Sequence, residues 1–244
     1  VHIINDQDGN DLMFMPLLLD ITYSNYNFYS FDSRYKRLID LDSTNIPLIN
    51  IETDPNGIPY DQSVWVSAHM GIINNGEGNF NKPTDHYNEY NGLIKIRSRG
   101  QSSRDFPKKS FRLELVDRND ADTSFALLGM PKESDWILLG PYTDKSQIRN
   151  KFIFDLSSQI GLLAPRTRFC ELVLNGELEG LYMLTETIKR DKNRVNISKL
   201  KETDIEGADV SGGYIFKYDK TDIFPKGAIR INNREIVYPD VPNE

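Results

Sequence analysis

Leu93-Ile94-Lys95-Ile96-Arg97-Ser98-Arg99-Gly100-Gln101-Ser102-Ser103-Arg104-Asp105-Phe106-Pro107-Lys108-Lys109-Ser110-Phe111-Arg112-Leu113-Glu114-Leu115-Val116 is the stretch on which the fold turns. In its first part Ile94 and Ile96 alternate with Lys95, Arg97 and Arg99; in its last part Phe111, Leu113 and Leu115 alternate with Arg112 and Glu114. Successive side chains of a strand point to opposite faces, so a period of two marks a strand buried on one side. The spacing predicts strands over 93–99 and 109–116. The loop from Gly100 to Pro107 is long enough to fold over a ligand. Lys95 to Arg112 holds seven basic residues and a single acid, Asp105. Such a cluster suits an anion, the alternative being a solvated strand face.

Upstream, strands are expected over 47–53 and 63–73, the second with Val64, Val66, Ala68, Met70 and Ile72 on one face and His69 on the other. Residues 1–45 are acidic and rich in Tyr, Phe and Asn. They read as an irregular N-terminal segment or the edge of a preceding domain. Downstream, Arg168 to Leu174 and Leu178 to Thr185 flank Asn175-Gly176, a hairpin signal because both residues tolerate positive φ. One helix is expected, from Asp144 as N-cap to Gly161 past its end, with Ile148, Phe152, Ile153, Leu156 and Ile160 as its buried face. Arg149 falls within that arc and needs an acid or an anionic ligand as partner. Gly212 to Lys217 reads as a further strand, and 219–244 as turns and short apolar patches.

The 244 residues are 39% hydrophobic and 27% charged, enough to bury a sizeable core in one or two domains. No apolar run reaches the roughly 20 residues that a transmembrane segment needs, and Val1 to Asp6 lacks the layout of a signal peptide. The single Cys170 excludes an internal disulfide and a multi-cysteine zinc site, and it reads as a small core residue. Three histidines make a His-rich metal centre a poor fit. A net charge of −7 argues against non-specific nucleic-acid binding. That total hides an asymmetry: residues 93–194 carry 18 basic and 14 acidic side chains, so the positive potential sits in the middle of the chain.

A glycine and small hydroxylated residues between two strands let backbone N–H groups approach a phosphate, and lysines at the loop exit neutralise it. Gly100, Ser102, Ser103, Lys108 and Lys109 meet that description. Lys109 shares the parity of Phe111, Leu113 and Leu115, which directs its ammonium to the covered side. Glu186, at the end of a later strand, is a candidate carboxylate partner for it, with a purely structural ion pair as the alternative. Arg99, Arg112 and Arg149 complete the candidate phosphate-binding set. No catalytic residue and no metal ligand can be assigned.

These same blocks resemble the CotH kinase family. The resemblance rests on Arg99-Gly100-Gln101-Ser102-Ser103 with Pro107-Lys108-Lys109-Ser110, on Leu127-Leu128-Gly129-Met130-Pro131, and on Ser134-Asp135-Trp136. Asp144-Lys145-Ser146 with Arg149-Asn150, Ala164-Pro165-Arg166, Asn175-Gly176-Glu177, Glu186 to Arg194 and Ser211 to Lys217 add to it. It implies an α+β fold over 46–244: a mainly antiparallel sheet with one principal helix, like the N-terminal lobe of an atypical protein-kinase-like fold. It further implies ATP with a divalent metal as cofactors, a protein substrate or a coat or surface protein as partner, and an extracytoplasmic or cell-surface location. On that analogy Gly100 to Ser103 cover the phosphates, Lys108 or Lys109 contacts them, and Glu186 orients the lysine. The family's catalytic and metal-binding aspartates belong to a Trp-Asp-Phe-Asp-like segment. Neither Trp65 nor Trp136 begins one, so the chain is expected to be a truncated member, inactive alone. The competing reading is a binding or structural module that grips an acidic protein or glycan.

Overall fold

A computed structural model describes residues 3–5, 11–13, 41–53, 57–199, 201, 203, 206–210, 215, 229–231 and 234–236. Apart from Ile215, the strand expected at 212–217 lies outside the described residues, as does most of the segment before residue 41. Two compact units divide at Thr187/Ile188.

In the first unit β1 (Ile3–Asn5) and β2 (Asp11–Met13) form an antiparallel pair. Seven further strands follow: β3 (Leu48–Thr53), β4 (Val66–Ile73), β5 (Tyr90–Arg99), β6 (Ser110–Val116), β7 (Asp135–Leu139), β8 (Thr167–Leu174) and β9 (Glu177–Glu186). A single helix, α1 (Arg149–Gln159), joins β7 to β8. The second unit contains an antiparallel pair, β10 (Ile229–Ile231) with β11 (Arg234–Ile236).

The expectation of a kinase-like α+β lobe is overturned. Strands β3 to β9 close on themselves in the order β3-β4-β5-β6-β7-β9-β8, a seven-stranded barrel. The sequential strands β3 to β7 pair antiparallel. Closure comes from one parallel pairing, in which β3 aligns with β8 from Leu48 opposite Glu171 to Ile51 opposite Leu174. That contact joins distant parts of the chain and leaves no local pattern to read.

Inward parity fills the barrel. Ile49, Ile51, Met70, Ile72, Ile94, Ile96, Leu113, Leu115, Trp136, Leu138, Leu172 and Leu184 are all fully buried. Each such side chain contributes about 1.5–3 kcal/mol of apolar burial, so the alternation in β5 and β6 fixes the register of the wall. Asn175 and Gly176, with φ of 52° and 77°, make the expected tight turn between β8 and β9. Cys170 is buried in the core, and that burial pushes its thiol pKa up, out of the reactive range.

The helix differs from its expectation. It is 11 residues long, and Ile148 rather than Asp144 occupies the N-cap. Asp144 nevertheless serves the helix start, because its carboxylate accepts the Arg149 backbone N–H at 2.9 Å and the Ser146 hydroxyl at 2.6 Å. Burial alone would raise the Asp144 pKa, but the hydrogen bonds from Ser146 and Arg149 outweigh it and hold the carboxyl below its usual range. None of the helical side chains is buried, and the face expected to be covered is open, Phe152 being 63% exposed. Arg149 is therefore a surface residue with Asp144 3.4 Å away, not a buried cation.

Candidate functional site

The loop between β5 and β6 folds as a flap over one end of the barrel. Gly100 begins it with φ of +116°, strained for any residue with a Cβ, and a Cβ there would lie 2.0 Å from the Ser103 hydroxyl oxygen and force that side chain aside, so glycine is favoured in this close turn. A single 3-10 turn follows at Ser102–Asp105. Two aromatic side chains from other loops hold the flap: the Tyr60 hydroxyl donates to Asp105 at 2.7 Å, and Phe106 stacks on Tyr142 with centroids 5.4 Å apart.

Under the flap lies a pocket of about 280 Å³ lined by Ile58, Tyr60, Ser98, Arg99, Arg104, Pro107, Lys109, Ser110, Phe111, Leu174 and Glu179. Three cations, Arg99, Arg104 and Lys109, thus meet one acid, Glu179. The Lys109 ammonium donates to the Arg104 carbonyl oxygen and so ties the base of the flap to its turn. Arg104 spreads its guanidinium over the Tyr60 ring at 4.6 Å and donates to the Tyr60 carbonyl oxygen at 3.2 Å, yet its buried Nε has no hydrogen-bond partner. A buried N–H left without an acceptor costs about 1–3 kcal/mol, a penalty that an incoming anion would remove.

The neighbouring lysine goes elsewhere. Lys108 reaches into the barrel mouth, donates to the Glu179 carbonyl oxygen at 2.7 Å and places its ammonium 4.3 Å from the centre of the Tyr182 ring. Burial pushes its pKa down to about 8, partly offset by the negative charges of Glu171 and Glu179. Strand β6 begins only at Ser110, so parity counted back to Lys109 does not decide which lysine meets the core.

Of the residues singled out from sequence, the structure gathers Arg99, Gly100, Ser102, Ser103, Lys108 and Lys109 at this one end. Ser102 is exposed and Ser103 half-buried; neither lines the pocket. Arg112 points outward from the barrel wall, where its guanidinium pairs with Asp135 at 2.8 Å. Arg149 stays on α1. Glu186 is at the opposite end: Leu113 pairs with Trp136, which pairs with Glu186. Lys109 stands four positions before Leu113, so the two are separated by about 13 Å along the strand direction and by two strands. Glu186, 4% exposed, instead accepts the backbone N–H of Arg166 at 2.8 Å and its Nε at 3.0 Å. Sequence reasoning missed Arg104, Tyr60 and Glu179. Arg104 was legible as part of the basic cluster, whereas nothing local marks the other two.

The arrangement could take a phosphate group: two guanidiniums, one of them with its Nε unpartnered, and an ammonium stand around one opening beside a single acid, Glu179. Ligands for a divalent metal are a different matter. Among the described residues no group of three or more His, Cys, Asp or Glu side chains could hold a metal ion, so no step is derived through one.

A family model described as CotH kinase protein matches residues 96–240, a span that takes in the flap, both ends of β9 and all of the pocket lining except Ile58 and Tyr60. The chain belongs to this family. A CotH relative, the inner spore coat protein H of Bacillus subtilis (strain 168), is 31% identical over 99 residues. That alignment covers 39% of this chain and 24% of the relative, so the chain spans about a quarter of the length of the CotH protein it matches. No helix among the described residues is long and apolar enough to cross a membrane.

Proposed function

We propose that this chain supplies the phosphate-gripping part of a CotH-type phosphotransferase, whose donor would be ATP and whose acceptor would be a protein side chain. The observation that carries the reading is the convergence of Arg99, Arg104 and Lys109 on one pocket beneath a glycine-started flap. In this scheme the nucleotide supplies the transferable phosphoryl group. The chain's own residues bind and orient it: Arg104 donates its Nε, Lys109 its ammonium, and the flap excludes water from the anion. Family membership supports phosphoryl transfer as the reaction class. The relative's spore-coat name supports a coat or surface location and a coat protein as partner. Residues 1–244 are expected to bind nucleotide without sustained turnover.

Titration of residues 1–244 with ATP tests the reading. Lys109→Ala and Arg104→Ala should each weaken binding about tenfold, the loss of one charge-assisted contact. Absence of ATP binding, or binding that both variants leave unchanged, overturns it. The second reading is a coat-associated module gripping an acidic protein or glycan, favoured by the same three cations, which hold carboxylates as readily. Binding of an acidic polymer that Lys109→Ala abolishes, with no nucleotide affinity in the parent, selects it.

A further inference from the structure

Helix α1 turns its apolar side away from the protein. Advanced by 100° per residue, Ile148, Phe152, Ile153, Leu156 and Ile160 fall within about 140° of one another. All five are exposed, by 37% to 65%. The half-buried positions, Lys151, Phe154 and Ser157, recur every three residues on the opposite side of the helix. A surface helix ordinarily lays its apolar stripe on the core and shows its polar face to water, and here that order is reversed. Leu162 and Leu163, which follow the helix directly, are exposed as well.

The five side chains present on the order of 450 Å² of apolar surface, which matches the largest patch of a typical monomer. Counted on two copies and extended by Leu162 and Leu163, the apolar surface to be covered comes to ~1,300 Å², above the ~1,000 Å² that a specific interface needs. The charges beside it are mixed. Lys151 pairs with Asp155 within the helix, while the Arg149 side chain is 80% exposed and meets Asp144 only through its Nε, at 3.4 Å. A bilayer surface favours a helix rich in Lys and Arg on its polar face, which α1 is not.

We propose that this face binds the same face of a second copy of the chain, the two α1 helices crossing antiparallel about a two-fold axis. A two-fold contact needs a surface complementary to itself. Ile148, Phe152, Leu156 and Ile160 stand four residues apart and form one ridge, Arg149 and Ile153 begin the next, and the groove between them accepts the same ridge of an identical helix. With the axis level with residue 154, Phe152 of each copy meets Leu156 of the other, and Ile148 lies towards Ile160. The antiparallel arrangement also directs Arg149 towards the C-terminal half of the other helix, where the helix dipole and Asp155 supply negative charge. The inference stands apart from the nucleotide reading, because none of these residues lines the mouth pocket.

Sedimentation equilibrium of residues 1–244 should show a monomer–dimer equilibrium with a Kd on the order of 10 µM. Phe152→Glu and Leu156→Lys should each weaken it at least about tenfold, with a circular-dichroism spectrum and melting temperature unchanged in dilute solution, because both side chains are exposed. Phe80→Glu, at a similarly exposed aromatic in the loop between β4 and β5, should associate like the parent. Mixed in equal amounts, the Phe152→Glu and Leu156→Lys variants should associate again, since the register sets the introduced charges against each other and keeps one contact between Phe152 and Leu156. A parent that stays monomeric at ~500 µM, or a dimer that Phe152→Glu leaves intact, overturns the proposal. A mixture that stays monomeric overturns the antiparallel register. A monomeric parent that binds phosphatidylserine–phosphatidylcholine vesicles, with Phe152→Glu abolishing that binding, assigns the face to a bilayer and overturns the second copy as its occupant.

Discussion

The two ends of the barrel handle charge in opposite ways. At the end where β9 finishes, Glu186 is buried and accepts both the backbone N–H and the Nε of Arg166. At the end where β9 begins, Arg99, Arg104 and Lys109 gather around an opening, and the Arg104 Nε has no partner. A buried ion pair adds little net stability but is costly to break from one side. A cluster of like charges costs stability outright unless something else binds there. The first end is closed by its own partner, whereas the second leaves three cations and one acid, Glu179, around an opening.

The largest effect should come from breaking the closed end. Glu186→Ala removes the acceptor of two Arg166 groups from a buried position and should lower unfolding stability by about 3 kcal/mol. A urea midpoint within error of the parent's would show that the pairing contributes nothing; ATP and pyrophosphate affinities should not move. Next comes the pH dependence set by Lys108, whose folded pKa of about 8 lies below its ordinary 10.5. Between those values the unfolded chain holds more protons than the folded one, so stability rises with pH across that window, and the cost is fully present below pH 8. Relative to Lys108→Met, the parent should gain up to about 3 kcal/mol between pH 7 and 10.5. A pH-independent difference would show that the ammonium stays hydrated. The smallest effect sharpens the contrast. Gly100→Ala meets both an unfavourable φ and the Ser103 hydroxyl, and should cost about 1–2 kcal/mol while weakening anion binding at the mouth. Adding Ser103→Ala should recover only the steric part; full recovery would mean that the backbone angle carries no cost.

Much of the wall was legible because burial imposes a period of two. Ile94, Ile96, Leu113 and Leu115 announce which face of β5 and β6 is covered, and Asn175-Gly176 announces the turn into β9. Strand β7 was not legible, since Asp135 to Leu139 is short and its apolar run does not alternate. Closure was not legible either, because the pairing of β3 with β8 leaves no mark near either strand. The site divides along the same line. The flap and its cations follow from contiguous residues. The partner of Glu186 follows from strand order, which places Arg166 beside it and Lys109 at the far end. The helix misled for a further reason: Phe152, Ile153, Leu156 and Ile160, whose spacing predicts a covered face, are exposed.

The seam between β3 and β8 also governs how the protein comes into being. Strands β3 to β7 leave the ribosome as a meander whose two borders, β3 and β7, have nothing to pair with until residues 167–186 are made. During that interval each border is a template for a neighbouring nascent chain, and slow closure over so long a loop prolongs the exposure. Synthesis on crowded polysomes, rather than the equilibrium stability of the finished barrel, would then limit the yield of soluble protein.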